Sequence, residues 1–194
     1  MVNKKAKVVL LGDPNTGKSS LIYYIINNKF IDNSTPTIGV SFNMKVIKND
    51  NDELNLEIWD TAGTEIYHSL SNLYYREADF ILLCFDLSER QTFINLNKWI
   101  QNIKNNCSNE NITIYLIGNK SDLKHEISLE NIDFFCKNNK FKYFETSSKN
   151  CVLNDLLSEI FKDYNKINNR NVLSENSCDK IILFEEKHKK YYYC

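Results

Sequence analysis

Gly12-Asp13-Pro14-Asn15-Thr16-Gly17-Lys18-Ser19 follows the apolar run Val8–Leu11 and opens a helical pattern over Lys18–Asn28. The octet fits G-x-x-x-x-G-K-[ST] in the context that pattern needs, with a strand entering and a helix leaving. A glycine-containing loop of this kind wraps a polyphosphate with backbone N–H groups, and the helix behind it points its positive end at the same charge. Lys18 is placed to neutralise β- and γ-phosphates, and Ser19 to offer its hydroxyl to Mg²⁺. The candidate nucleotide-binding residues of this stretch are Asp13, Asn15, Thr16, Gly17, Lys18, Ser19 and Ser20. A chance glycine turn before a helix would not bring Lys-Ser at this spacing. Phosphate binding alone leaves ATPases and nucleotide kinases open.

Outward from the octet, short β-rich apolar runs alternate with longer amphipathic stretches. Val8–Leu11, Phe42–Ile47, Leu54–Trp59, Phe80–Phe85, Ile112–Ile117 and Tyr143–Glu145 read as strands. Lys18–Asn28, Gln91–Asn106, Leu129–Asn139 and Val152–Ile167 read as helices, with a less regular one around Ser69–Glu77. This order predicts a three-layer α/β domain whose six-stranded, mostly parallel sheet is covered on both faces. Phe42–Ile47 and Leu54–Trp59, joined through Asn49-Asp50-Asn51-Asp52, have no helix between them and predict a hairpin that adds one antiparallel edge strand. Ligands gather at the carboxyl ends of strands in such a sheet.

Two further motifs sit at strand ends. Asn119-Lys120-Ser121-Asp122 follows Ile112–Ile117. A guanine edge presents N1–H and an exocyclic amine, two donors that one carboxylate accepts together, and Asp122 fills that role. Adenine presents an acceptor at N1, and the mismatch of a buried polar pair is costly. Glu145-Thr146-Ser147-Ser148-Lys149, after the last strand, adds backbone N–H near Ser148 for the guanine carbonyl, and Ser147, Ser148 and Lys149 join Asn119, Lys120 and Asp122 as base-site candidates. Trp59-Asp60-Thr61-Ala62-Gly63 follows a third strand: Asp60 is a carboxylate for Mg²⁺, held through water, and Gly63 lets a backbone N–H approach the γ-phosphate. Thr37, in Pro36-Thr37-Ile38-Gly39, supplies the second hydroxyl to the metal, which makes Ser19, Thr37 and Asp60 the metal set.

The bulk composition sets bounds on the rest. A chain of 194 residues matches one domain and a tail, since domains commonly hold roughly 100 to 200 residues. With 42% hydrophobic and 25% charged residues it has material for a core and the charge of an ordinary soluble protein. A formal net charge of −1 gives no global attraction to nucleic acid or anionic membrane. The start, Met1-Val2-Asn3-Lys4-Lys5, lacks the apolar stretch of a signal peptide, and Val2 stands where N-myristoylation needs glycine. No apolar run reaches the roughly 18 residues of a membrane span, which predicts a protein that starts in the cytosol. Cys84, Cys107, Cys136, Cys151 and Cys178 have no C-x-x-C partner and read as buried or inert thiols. Periodicity fades near Asn168. The expected division is a domain over 1–168 and a flexible tail over 169–194, the tail carrying the apolar Ile181-Ile182-Leu183-Phe184, the basic cluster Lys187–Lys190 and the terminal Cys194.

The order and spacing of the phosphate loop, Pro36–Phe42, Trp59–Gly63, Asn119–Asp122 and Glu145–Lys149 resemble the Ras superfamily of small GTPases over roughly residues 5–168. Thr37-Ile38-Gly39, Ile58-Trp59-Asp60 and Leu73-Tyr74-Tyr75-Arg76 resemble its Rab branch, and Tyr67-His68-Ser69-Leu70 followed by Tyr74-Tyr75-Arg76 is similar to the endosomal members. The resemblance implies the P-loop NTPase fold of small G proteins, GTP and GDP with Mg²⁺ as ligands, and hydrolysis of GTP to GDP and phosphate. It implies that Lys18, Thr37, Gly63 and Thr64 act in catalysis, that Phe30 and the stem of Lys120 flank the guanine, and that Phe42, Trp59 and Tyr74 form the aromatic triad that meets effectors. Thr37 and Gly63 are then tethered by the γ-phosphate and Mg²⁺, and their segments relax when it leaves. The implied partners are a guanine-nucleotide exchange factor, a GTPase-activating protein, effectors of the two switch segments, a prenyl escort protein and a GDP dissociation inhibitor. The implied setting is a monomer cycling between cytosol and the cytoplasmic face of an endosomal or Golgi-type membrane in vesicle traffic, without nucleic acid.

Three departures qualify the resemblance. Thr64 stands where the family's water-orienting Gln follows Gly63, and its shorter hydroxyl does not both reach and align a water. Rap-type GTPases also carry Thr there and rely on an activating protein, so very slow intrinsic hydrolysis is expected. Pro14 fixes φ and removes an N–H inside the phosphate loop. Rabs typically end in two cysteines, whereas here Cys194 stands alone after Tyr191-Tyr192-Tyr193. Either Cys194 takes one lipid, a marginal anchor that Lys187–Lys190 would assist, or the chain reaches membranes through a partner. Two further readings stay open: a persistently GTP-bound, non-hydrolysing binding module, and an ATP-using P-loop enzyme, which Asp122 disfavours.

Overall fold

Phe80-Ile81-Leu82-Leu83-Cys84-Phe85-Asp86 is buried along its whole length, as a strand must be when helices cover both faces of its sheet. The computed structural model describes residues 4–30, 37, 39–49, 52–61, 77–107, 109, 112–150, 153 and 155–169. Its strands are β1 (Lys5–Leu11), β2 (Val40–Asn49), β3 (Asp52–Thr61), β4 (Phe80–Asp86), β5 (Thr113–Asn119) and β6 (Lys142–Glu145), in one sheet ordered β2-β3-β1-β4-β5-β6. Neighbours run parallel except β2 and β3, whose antiparallel register goes from Val40 opposite Thr61 to Asn49 opposite Asp52. Among the described residues the helices are α1 (Lys18–Asn27), α2 (Arg90–Ile94), α3 (Leu96–Asn106), α4 (Leu129–Asn139) and α5 (155–169).

Alternation along the strands divides the core in two. Val8, Leu10, Leu82 and Cys84 face a cluster closed by Leu21, Ile22 and Ile25 of α1 and Leu156, Ile160 and Phe161 of α5. Val9, Leu11, Leu83 and Phe85 face the other side, closed by Leu96, Trp99, Ile100 and Ile103 of α3 and Ile132 and Cys136 of α4. Every buried position of α3 belongs to one i, i+3, i+4, i+7 stripe. Ser128 caps α4 by accepting from the Asn131 backbone N–H, and Lys140 ends it in the left-handed conformation. Burial pushes the Cys84 thiol up to about 12 and Cys136 up to about 11, so both stay protonated. Cys151 and Cys178 lie outside the described residues.

The observed elements differ from the sequence reading in three places. The helix expected over Gln91–Asn106 is two, broken at Asn95, whose carbonyl accepts from the Lys98 N–H at 2.9 Å, one residue short of the α spacing. Strand ends reach further than apolar alternation suggested: Lys5, Ser41 and Asn49 are drawn into ladders by backbone hydrogen bonds that do not depend on side-chain type. The last helix, described over 155–169, leaves Leu153 outside it and continues past Ile167, where Val152–Ile167 was expected. The helix expected at Ser69–Glu77 falls almost wholly outside the described residues.

A polar staple fastens α5 to the sheet. The Tyr115 hydroxyl donates to Asp163 Oδ2 at 2.7 Å, Lys142 Nζ pairs with the same oxygen at 2.6 Å and with Glu159 at 2.7 Å, and Lys166 pairs with Asp163 Oδ1 at 3.0 Å. Burial works against the charged carboxylate, but Lys142, Tyr115 and Lys166 outweigh it and hold Asp163 down at about 2. A depressed carboxyl stabilises the fold above its ordinary 3.8 and loses that contribution as pH falls toward about 2. Asp163→Asn is expected to cost about 1.5–3 kcal/mol at pH 7, the range for hydrogen bonds to a charged group. In urea unfolding the gap between wild type and variant should close as pH falls from 4 toward 2; a gap that stays constant would show that the carboxylate charge contributes nothing.

Candidate nucleotide site

The loop from β1 to α1 turns on three residues of positive φ: Gly12 at 138°, Asn15 at 62° and Gly17 at 85°. A Cβ on Gly12 would lie 2.1 Å from the Cys84 carbonyl oxygen, and one on Gly17 would lie 2.3 Å from Asn119 Nδ2, so neither position tolerates a side chain. Asn15 reaches the left-handed region that Asn tolerates better than most residues. Asn119 Nδ2 donates to the Thr16 carbonyl at 2.9 Å, which ties the loop after β1 to the loop after β5. Asp13 turns its carboxylate outward, accepting from Asn95 Nδ2 at 2.7 Å and Trp99 Nε1 at 2.8 Å. That side chain clamps the loop to α3 at the helix break, so Asp13 has only backbone to offer a phosphate. Nothing in local sequence connects Asp13 with Asn95 and Trp99, more than 80 residues apart.

Lys18 is buried and donates to the carbonyls of Gly12 at 2.8 Å and Asp13 at 2.7 Å. Burial lowers its pKa, with Cys84, Asp60 and Asp13 opposing the shift. A desolvated ammonium resting on neutral carbonyls at the mouth of a helix is suited to an anion. Beside it, Ser19 Oγ lies 2.6 Å from Thr37 Oγ1, and Thr37 Oγ1 donates to Asp60 Oδ2 at 3.3 Å. Asp60 Oδ1 is buried without a hydrogen-bond partner among the described residues. Burial raises the Asp60 pKa, against the hydrogen bonds of Ser19 and Thr37 and the charge of Lys18. Two hydroxyls and a carboxylate with an orphaned oxygen are the hard oxygen donors that Mg²⁺ accepts, so these residues fit it. When bound, such an ion supplies positive charge to polyphosphate oxygens.

The base-site candidates converge as well. Gly17, Ser20, Phe30, Asn119, Lys120, Asp122, Leu123, Ser148 and Lys149 line one cavity of about 180 Å³. Ser147 Oγ donates to Asp122 Oδ1 at 2.6 Å and accepts from the Lys149 N–H at 3.1 Å, which orients the carboxylate. Thr146 Oγ1 donates to Asn119 Oδ1 at 3.1 Å, and Lys120, at φ 61°, pairs with Asp86 at 2.6 Å. Phe30 lies beneath Lys149, whose Nζ is 5.7 Å from the ring centroid. Ser148 Oγ is buried without a partner among the described residues. Asp86, Thr146 and Leu123 were not singled out in the sequence; Asp86 closes the apolar run of β4, and a carboxylate ending a buried strand was the available signal.

Phe42 is 48% exposed and meets Trp59 edge to face at 5.0 Å between centroids. Tyr74, the third aromatic, lies outside the described residues, as do Gly63, Thr64 and Cys194. The Ras family model matches residues 7–167. The chain belongs to the Ras family. Its relatives include Ras-related protein Rab5 of Nicotiana tabacum, 36% identical over 82% of this chain and 81% of that one. Ras-related protein RabL of Dictyostelium discoideum is 39% identical over 74% of each chain. GTP-binding protein ypt3 of Schizosaccharomyces pombe is 36% identical over 80% of this chain and 76% of that one. The present chain is a small GTPase of the Rab branch, and as a Ras-family member it binds GTP and GDP with Mg²⁺ and hydrolyses GTP.

Gly17→Ala places a methyl against Asn119 in a backbone region that costs an L-residue about 1–2 kcal/mol. The expected result is GDP affinity reduced at least about tenfold, the equivalent of 1.4 kcal/mol, measured by displacement of a fluorescent GDP analogue. Unchanged affinity would mean that the Gly17–Asn119 approach does not shape the site.

Proposed function

We propose that this Ras-family chain is a Rab-type switch regulating vesicle traffic, with a G domain over 1–168 and a tail over 169–194. The observation that carries the base choice is the Asp122 carboxylate, oriented by Ser147 in a cavity that also contains Gly17 of the phosphate loop. In this reading Asp122 accepts both guanine donors, the backbone near Ser148 meets the carbonyl, and Phe30 with Lys120 and Lys149 flanks the ring. Asp13, Asn15, Thr16, Gly17, Lys18, Ser19 and Ser20 surround the phosphates, Lys18 offsetting their charge. Ser19, Thr37 and Asp60 hold the metal, Asp60 through water. Thr37 and Gly63 respond to the γ-phosphate, and Phe42, Trp59 and Tyr74 present the resulting shape to effectors. Exposed aromatics such as Phe42 suit that task, since interface hot spots are enriched in aromatic side chains.

Catalysis in this family is positioning and charge compensation rather than covalent chemistry. Thr64 in place of a water-orienting Gln supports slow intrinsic turnover, with an activating protein supplying Gln or Asn and an arginine in trans. The chain cycles between cytosol and an endosomal or Golgi-type membrane, carried by a lipid on Cys194 assisted by Lys187–Lys190 or by a partner. A prenyl escort protein and a GDP dissociation inhibitor handle the lipidated form.

Single-turnover hydrolysis of preloaded GTP tests the catalytic reading. A positioned side chain contributes about 10²–10⁴-fold to proton transfer, so Thr64→Gln is expected to raise the intrinsic rate at least about tenfold, and a Rab-activating domain to accelerate wild type. GTP left intact by wild type in every condition would replace the switch with a persistently GTP-bound binding module. The base assignment has its own check: Asp122→Ala should abolish the preference for GTP over ATP in competition, and a retained preference would place guanine recognition elsewhere.

A further inference from the structure

A groove of about 290 Å³ lies between the end of β2 and α5. Ile47, Leu157 and Phe161 line it, and Lys48 and Lys162 stand beside it with side chains 69% and 61% exposed. Such a volume, at the small end of the roughly 300–1,000 Å³ of ligand pockets, suits a few apolar side chains rather than a whole helix. The nucleotide site is at the other end of the sheet, where β1 and β3 finish and β2 begins. Lys4 shows what lies at this end: it pairs with Asp52 at the base of the hairpin and donates to Asn165 Oδ1 of α5 at 3.3 Å. α5 is described as far as residue 169, four residues past Asn165, so the rest of the chain continues from this end of the sheet.

The chain after α5 contains Ile181-Ile182-Leu183-Phe184 followed directly by Glu185-Glu186. From Phe161 to residue 169 the helix advances about 12 Å at 1.5 Å per residue. The stretch 170–180 spans roughly 35 Å when extended, enough to return along α5 with slack. An apolar tetrad next to two carboxylates complements a groove that offers Ile47, Leu157 and Phe161 between Lys48 and Lys162, with Asn49 and Ser158 also in its lining. Lys48 pairs with Glu53 at 2.5 Å and Lys162 with Glu159 at 3.5 Å, but exposed pairs of this kind are weak enough to exchange partners. A larger apolar cavity of about 410 Å³ beside Phe93 and Phe134 belongs to the α2 and α4 side, across the sheet from α5.

We propose that Ile181–Phe184 docks in the groove between β2 and α5 of its own chain, with Glu185 and Glu186 against Lys48 and Lys162. The docked segment holds Lys187–Lys190 at the end of the domain opposite the nucleotide, and hides its apolar tetrad from other partners until displaced.

Hydrogen–deuterium exchange of the full chain tests this. In wild type, residues 181–186 should exchange at least about tenfold more slowly than in Ile182→Asp/Phe184→Asp, tenfold corresponding to 1.4 kcal/mol. Lys48→Glu/Lys162→Glu, both at exposed positions, should remove the protection, and adding Glu185→Lys/Glu186→Lys should restore it. Exchange of 181–186 at the unprotected rate in wild type overturns the proposal, as does protection indifferent to the lysine reversals. Protection that rises with protein concentration assigns the groove to the tail of a second copy and overturns docking within the chain.

Discussion

Asn119 Nδ2 reaches the Thr16 carbonyl across a glycine with no Cβ, and the site depends on that approach. It joins the loop that follows β1 to the loop that follows β5, two strands separated in the sheet by β4. Asn119 Oδ1 in turn accepts from Thr146 at the end of β6, so one amide brings three strand-end loops together. Lys18 and Asp122, which come from two of those loops, are thereby held at fixed separation without direct contact. A cavity able to take both a polyphosphate and a base needs that spacing before any ligand arrives, because ordering loops at the moment of binding costs affinity.

Around this amide the polar groups are arranged with an imbalance. Lys18 rests on carbonyls, and one oxygen of Asp60 and the hydroxyl of Ser148 are buried without partners among the described residues. Buried polar groups are ordinarily satisfied, so unsatisfied ones gathered at the carboxyl ends of the strands fit a site shaped for an anion and a cation together. Burial moves Lys18 and Asp60 in opposite directions, each toward its neutral form, and ligands of the complementary charge would reverse both. By contrast the staple of Tyr115, Lys142, Glu159 and Asp163 is fully paired, which marks it as part of the fold rather than of the site.

Much of this was legible in the residues. The phosphate loop, Asp60, the Asn119–Asp122 motif and the Ser147–Lys149 segment each lie at or just past the end of a strand, and the alternation of strands and helices identified the sheet to within a few residues at each strand end. The antiparallel hairpin was visible because nothing helical separates its two runs. Less visible was the break at Asn95. Helical periodicity is continuous from Gln91 to Asn106, and the interruption falls at Asn95, where the chain is clamped to Asp13 by a contact that no local pattern encodes.

By itself the sequence determined the chemical inventory and its order, because motifs depend on local spacing and strands on the alternation of side chains. It specified a glycine at Gly17, a hydroxyl at Ser19 and a carboxylate at Asp122. Tertiary structure alone decided what each side chain spends its hydrogen bonds on: Asp13 on α3, Ser147 on orienting Asp122, Asp86 on Lys120. It likewise decided that Ile47 and Phe161, distant in the chain, share a groove. The physical reason is that hydrogen bonds and close packing act over a few ångströms in space, whereas sequence patterns report only neighbours along the chain, and the parallel crossovers of this sheet separate the two most widely.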